Sequence, residues 1–276
     1  MQIKFISEIG QNHNGSIETA FKMVDEIHAN NNGEVWAIKT AKRNVELHRE
    51  EWEAQPYGDT NYYEHRKSLE LSKEDFTRLK EYVESKGYIF TSSFTDLDSL
   101  NFLQNDLNLE WLKIASSRNV DSVLLSYIDD DKKIIHSNGM NNPIQNMVKK
   151  AFIGCMLQEK EKVIYLETTS AYPCNNNELS FNNLRYVDGV SLHTLDNKAD
   201  LVSVACAMNM GKKEWYIERH ITLDKTQKGT DHQLSFTPDY LPYYFDELRQ
   251  VMSMFNNKQI MPSEQASIKK LRHDLI

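Results

Sequence analysis

Two lysines and two histidines are the side chains best placed by type and spacing to act on an anion. Lys39 closes the apolar run Val35-Trp36-Ala37-Ile38, and Lys113 follows Trp111-Leu112. An ammonium in such a setting must snorkel to water, pair with a carboxylate or meet a bound anion, because burying it alone is costly. Both at one mouth could bracket a phosphate and a carboxylate. His193 and His220 are separated by 27 residues and form no local metal motif. On adjacent strands the two imidazoles could still reach one divalent transition metal, with Glu8 adding a hard oxygen directly or through water. Core or loop histidines are the plainer alternative. His13 and His232 are equally open, either to exchange a proton near neutral pH or to satisfy a loop hydrogen bond.

Other motifs exclude more than they assign. Gly10, Gly15, Gly139, Gly189 and Gly229 fall at plausible turns, yet none completes a dinucleotide fingerprint or a P-loop. Ser137-Asn138-Gly139 either presents amide donors to an anion or is an ordinary strand-to-helix turn. Trp36, Trp111 and Trp215 sit in or beside strand runs, as packing residues do. No hydrolase motif is formed, and Cys155, Cys174 and Cys206 are too few and too far apart for a disulfide framework or zinc knuckle. The 276 residues carry 32 Lys and Arg against 40 Asp and Glu, a formal charge of −8, which disfavours a broad nucleic-acid footprint. No apolar run reaches the roughly 18 residues of a membrane span. The start, Met1-Gln2-Ile3-Lys4-Phe5-Ile6, enters a strand pattern without a signal-peptide core, so a reduced, cytoplasmic protein is expected.

The elements that must position these residues alternate. Short β-branched or aromatic runs predict strands near 3–9, 35–40, 88–93, 111–116, 132–138, 163–169, 187–193 and 215–221. Amphipathic stretches predict helices near 16–30, 72–86, 96–106, 119–129, 141–158, 197–210 and 242–254. This alternation fits an α/β fold, a single-domain (β/α)8 TIM barrel over 1–276; an open doubly wound sheet is the runner-up. A barrel would work at the C-terminal ends of its strands, and polar residues recur there: Ser7-Glu8, Lys39, Thr91-Ser92-Ser93, Lys113 to Ser116, His136-Ser137-Asn138, Glu167-Thr168, Ser191 to Thr194 and Glu218-Arg219-His220. Two long polar connections, 41–71 and 222–241, break the rhythm, and connections of such length often carry function.

In their order, these pieces resemble the sialic acid synthase family. The resemblance spans about residues 3–240. It rests on Ser7-Glu8-Ile9-Gly10-Gln11-Asn12-His13-Asn14-Gly15, Lys39, Gly87 to Phe94, Leu112-Lys113-Ile114-Ala115-Ser116, Ser137-Asn138-Gly139-Met140, Ala171-Tyr172-Pro173, Ser191-Leu192-His193-Thr194, Glu218 to Asp224 and Gly229-Thr230-Asp231-His232. The family implies a synthase that condenses phosphoenolpyruvate with an N-acetylated or related hexose, giving a 3-deoxy-2-keto sugar acid plus phosphate. It also implies a divalent metal, expected as manganese with magnesium or cobalt as alternatives. By motif, Lys39 and Lys113 look like donor-binding cations aided by Thr91, Ser116 and Ser137. His193 and His220 look like metal ligands and Glu8 like the metal-proximal carboxylate. Ser191, Tyr172 and Asp231 resemble substrate-pocket residues, with Tyr172 and Asp231 also candidates for catalysis.

Several positions depart from the family pattern. Its Lys-His-Gln is here Lys39-Thr40-Ala41, and its strand-four glutamate is Arg118, which makes Arg118 a candidate contact for a negatively charged acceptor. Asn-X-Tyr-Pro becomes Ser170-Ala171-Tyr172-Pro173, and Ser-Asp-His-Thr becomes Ser191-Leu192-His193-Thr194. Extra residues stand around Lys212-Lys213-Glu214. No counterpart of the family's C-terminal antifreeze-like domain is expected, and a barrel-only homodimer is compatible with that. Because a charge reversal removes carboxylate acid-base behaviour, a noncatalytic or weakly active sugar-binding homologue is the alternative. An isomerase or aldolase on the same barrel is a third reading.

Overall fold

The structure is a computed structural model and describes residues 1–140, 163–255 and 260–271. Eight parallel strands close into a barrel: β1 (Gln2–Gly10), β2 (Val35–Lys42), β3 (Ile89–Phe94), β4 (Trp111–Ile114), β5 (Lys133–Ser137), β6 (Val163–Thr168), β7 (Gly189–Ser191) and β8 (Glu214–His220). Each pairs with its sequence neighbours, and β1 closes the ring on β8 through Gln2↔Glu214 to Glu8↔His220. The expected α/β barrel is therefore the fold, and the open sheet is excluded.

Side-chain alternation along the strands sorts the core into two parts. Outward residues such as Phe5, Ile38, Phe90, Leu112, Ile134, Val190 and Ile217 pack beneath the helices. Those helices include α1 (Ile17–Ala29), α4 (Lys73–Ser85), α7 (Lys198–Asn209) and α8 (Leu241–Ser253), with shorter α2 (Arg49–Glu53), α3 (Tyr62–Ser68), α5 (Leu97–Asn101) and α6 (Ser122–Leu125) between them. Inward residues Ile6, Ala37, Trp111, Ile135, Ile164, Leu166 and Tyr216 form a separate apolar plug. Trp36 meets Trp111 and Tyr216 edge to face at 5.0 and 5.3 Å, and Trp215 is buried outside the barrel with Nε1 donating to Ser203. Packing is thus the role the tryptophans take.

Gly189 corrects a reading as a turn residue: it lies within β7, opposite Tyr216. A Cβ there would stand 2.0 Å from the Tyr216 carbonyl oxygen. Because that obstacle is backbone, Gly189→Ala should destabilise the barrel by on the order of 3 kcal/mol, read as a lower urea midpoint. An unchanged midpoint would show that the strands can separate without penalty.

Differences from expectation are local. The helix expected over 119–129 shrinks to α6, capped by Asp121 Oδ1 accepting from Leu124 N at 3.1 Å. Asn119 is drawn away from that helix, donating through Nδ2 to Ser137 O and Gly139 O at 3.0 and 2.8 Å. The helix expected over 141–158 lies outside the described residues. The 41–71 connection folds into a 3₁₀ turn, α2, a small hairpin and α3, while 170–186 holds two 3₁₀ turns. A further exposed helix, α9 (Pro262–Leu271), follows α8. Among the described residues, no helix is long and apolar enough to cross a membrane.

Candidate active site

One step above the apolar plug, the same inward positions become charged or polar. Ile6 is followed by Glu8, Ala37 by Lys39, Trp111 by Lys113, Ile135 by Ser137, Leu166 by Thr168, and Tyr216 by Glu218 and then His220. With Ala41, Ala115, Ser116, Ser191, His193, Tyr172 and Asp231, these residues line one cavity of about 300 Å³ at the C-terminal ends of the strands. The expected convergence of two ammonium groups and two imidazoles therefore occurs, in the place the barrel offers.

Both ammonium groups are already opposed by carboxylates. Lys39 Nζ meets Glu8 Oε2, while Lys113 Nζ bonds both Glu218 oxygens at 3.0 and 2.9 Å. Glu218 also accepts from Ser191 Oγ at 3.0 Å. Burial pushes Lys39 down to about 8, Glu218 opposes that shift, and Lys113 reinforces it. Burial works to raise Glu218, but the Lys113 and Lys39 charges outweigh it and hold the carboxyl below its usual range. Such pairs are a poor device for stability, since desolvation offsets their attraction. Their position argues for chemistry. Glu8 Oε1, Ser137 Oγ and His220 Nδ1 are buried without a hydrogen-bond partner in the protein, which leaves three polar atoms for a bound molecule to satisfy.

The histidines are adjacent, with ring centroids 5.4 Å apart. His193 Nδ1 lies 3.2 Å from Thr169 O. A carbonyl only accepts, so Nδ1 carries the proton and Nε2 keeps a lone pair. Burial, then the neighbouring His220, pushes His193 down to about 3, and burial lowers His220 as well. His220 Nδ1 stands 3.8 Å from Asp231 Oδ2. Two neutral imidazoles, one with an orphaned nitrogen, are donors of the kind that could hold a divalent transition ion. Among the described residues, no group of three or more His, Cys, Asp or Glu is arranged to hold a metal by itself.

Tyr172, preceding a cis Pro173, tilts over His193 at 4.1 Å. Loss of water, then the Asp231 and Glu218 charges, pushes its phenol up to about 12, so it is a neutral donor at neutral pH. Ser116 Oγ accepts from Ser170 Oγ at 2.7 Å; a Cβ on Gly139 would collide with that pair, so glycine lets the turn after β5 close against it.

Two expected site residues lie elsewhere. Thr91 is inside the barrel but below the cavity, its hydroxyl donating to Trp111 O at 3.0 Å. Arg118 does not line the cavity: the short 3₁₀ turn Ser116–Arg118 carries it to Asp121, 3.6 Å away. Conversely, Glu218, Gln11, Arg43 and Arg66 line the cavity without having been assigned to it from sequence. Glu218 was visible as a polar strand end, and the two arginines lie in a connection whose length was itself a signal.

His13 and His232 stitch loops together. His13 Nδ1 accepts from Gly15 N at 3.1 Å; His232 bonds Thr222 Oγ1 at 2.7 Å and reaches Asn14 at 3.4 Å. Burial pushes His13 from 6.5 down to about 4. Its folded-state value lies below its unfolded one, so its contribution is full above pH 6.5 and is lost as pH falls towards 4. That loss is about 3 kcal/mol, and buried His193 acts in the same direction. Urea midpoints should therefore drop on acidification, and His13→Asn should flatten the drop. An equally steep drop in that variant would reject the His13 contribution.

Fold and cavity define an α/β-barrel protein whose strand ends gather two lysines, two glutamates and two imidazoles around one cavity. The chain belongs to the NeuB family, whose model matches residues 34–260. An uncharacterized protein of Methanocaldococcus jannaschii is 33% identical, over 98% of this chain and 78% of that protein. The N-acetylneuraminate-9-phosphate synthase of Homo sapiens is 27% identical, over 98% of this chain and 77% of the human protein. Among solved structures, the N-acetylneuraminic acid synthetase of Leptospira borgpetersenii in complex with citrate superposes with a TM-score of 0.74 at 26% identity, covering 99% of this chain and 94% of that one. The sequence resemblance is thus borne out.

Proposed function

We propose that the chain is a synthase that joins phosphoenolpyruvate to an N-acetylated or related hexose, releasing phosphate and a 3-deoxy-2-keto sugar acid. The observation that carries this reading is the ring of Lys39, Lys113, Glu8, Glu218, His193 and His220 around one cavity in a NeuB-family chain. The relatives named as N-acetylneuraminate-9-phosphate synthase and N,N'-diacetyllegionaminic acid synthase support the reaction class.

In this reading Lys39 and Lys113 hold the anionic donor, helped by Ser116 and Ser137. Lys113 bonds Glu218 yet retains donor capacity for a ligand. His193 and His220 would hold the divalent metal, which when bound polarises the acceptor carbonyl. C3 of the donor forms a bond to the acceptor aldehyde carbon, and the aldehyde oxygen takes up a proton, for which the neutral Tyr172 phenol is the candidate source. Water adds at C2 and gives up a proton towards Glu8, whose Oε1 is unpartnered, and that proton replaces the one taken from Tyr172. The tetrahedral intermediate then expels inorganic phosphate and leaves the ketone. Fixing the two substrates against each other supplies much of the acceleration. Ser191 orients Glu218 through its hydrogen bond, and the Asp231 carboxylate, 3.8 Å from His220 Nδ1, adds negative charge beside that ring.

The alternative, a weakly active sugar-binding homologue, draws on Ala41, which lines the cavity where the family pattern is polar. A mass-resolved screen of N-acetylated hexoses with phosphoenolpyruvate and manganese separates the two. The proposal expects one product carrying the added three-carbon unit and one phosphate per product. Tight sugar binding without turnover would select the alternative, and sugar conversion without donor consumption an isomerase or aldolase.

A further inference from the structure

A buried cation outside the cavity, Arg219, is used by no step above. It stands on β8 between Glu218 and His220 with the opposite parity, so its side chain leaves the barrel while theirs enter the cavity. It is 1% exposed. On the neighbouring strand, β7 ends at Ser191, two positions before His193, and residues 192–197 run to α7 without regular structure. Regular ladder bonds therefore stop short of that histidine, and the carbonyls around it need other donors. Arg219 supplies them. Its Nη1 donates to Leu192 O at 2.8 Å and to Thr194 O at 3.1 Å, and its Nη2 donates to Thr194 Oγ1 at 3.1 Å and to Asp196 O. These bonds bracket His193 on both sides. The guanidinium is itself held: Nε faces Asp200 Oδ2 at 3.1 Å, from the first turn of α7, and the Phe236 ring lies 4.4 Å away. Phe236 N donates to His220 O at 2.8 Å, so the same packing reaches the backbone of the second imidazole. His193 O accepts from Cys174 N at 2.9 Å, which ties the Tyr172-Pro173 turn to the bracketed segment.

We propose that Arg219 is a positioning residue for the imidazole pair: it ties the segment that carries His193 to the strand that carries His220 and so sets the two rings side by side over the cavity. The assignment rests on the reading in which those rings hold the metal ion. A buried ion pair is a weak source of stability, because desolvation offsets its attraction. A planar fork with fixed donor directions is, by contrast, well suited to holding several backbone oxygens at set places. Asp200 then has a separate task, which is to neutralise the buried guanidinium.

The test uses the full chain and three variants, with manganese alone as the probe. Arg219→Lys keeps the charge and loses the fork, and calorimetry should show manganese binding roughly 10-fold weaker, the cost of an outer support. Asp200→Asn removes the counter-charge and leaves the carbonyl bonds in place. It should lower the urea midpoint at least as far as Arg219→Lys does, yet change manganese affinity less than about twofold. Thr194→Val, a milder change that deletes one acceptor, should weaken manganese binding about threefold, and it reads the same effect should Arg219→Lys fail to fold. In the metal-free protein at neutral pH, nitrogen NMR of labelled histidine should show His193 as one Nδ1-protonated tautomer in the parent and as a mixture in Arg219→Lys. Parental manganese affinity in both Arg219→Lys and Thr194→Val, with a single tautomer throughout, would overturn the assignment. Losses of affinity that follow the urea midpoint in all three variants would overturn it too, by making Arg219 a purely structural residue. A parent protein that binds no manganese would instead sink the metal reading, and the tautomer spectra would still judge Arg219.

Discussion

Lys113→Met should lose about 3–5 kcal/mol of folding stability and depress phosphate release by roughly 100- to 1000-fold. Both effects have one origin. Lys113 is 2% exposed and opposes Glu218 through bonds of 3.0 and 2.9 Å. Removing the ammonium strands a carboxylate in the barrel with Ser191 and the more distant Lys39 as its remaining support. Adding Glu218→Gln should restore most of the stability, because an amide needs no counter-charge and Ser191 Oγ can still donate to it. It should restore none of the turnover, because the donor would still lack its cation. Urea unfolding of the four proteins in this cycle, beside their phosphate release, checks both halves. A single variant as stable as the parent would mean that the pair is not a coupled buried charge. Recovery of activity in the double variant would remove Lys113 from donor binding.

The second large effect concerns the imidazoles. His193→Ala and His220→Ala should each weaken manganese binding by at least about 100-fold, beyond the cost of losing an outer partner. The two losses should not add, since either variant leaves a single imidazole. His193 is held by Thr169 O, and His220 has a buried nitrogen with no partner, so neither ring is needed to close the fold. Thermal midpoints without metal should therefore shift little compared with the loss in affinity. Calorimetric titration of manganese reads the first quantity and circular dichroism the second. Undiminished affinity in both variants would remove the metal from this place.

The barrel and the contents of its mouth were legible in sequence for a simple reason: strand side chains alternate. Ile6 before Glu8, Ala37 before Lys39 and Trp111 before Lys113 repeat one pattern, apolar plug and then charge, on three separate strands. What alternation cannot state is which charge meets which. Lys113 and Glu218 are 105 residues apart and become partners only once the ring closes. Thr91 shares the inward parity of Lys39, with which it is in register, yet its hydroxyl is taken by a neighbouring backbone carbonyl. Arg118 and the arginines at the mouth show the other limit. Beyond a strand end, direction is set by turn geometry: a three-residue 3₁₀ turn hands Arg118 to Asp121, whereas Glu70 and Gln11 draw Arg43 and Arg66 over the cavity. The 41–71 connection announced itself only by length and polarity, and its helices and hairpin are too short for periodicity to define.

The proposal that metal and anionic donor share this cavity is put to the test by the water-proton relaxation of protein-bound manganese during a phosphoenolpyruvate titration. One manganese should bind per chain, its relaxation should change saturably as donor is added, and both signals should vanish in the His193→Ala, His220→Ala double variant. Manganese that binds the double variant as well as the parent, or a relaxation signal indifferent to the donor, would contradict the account.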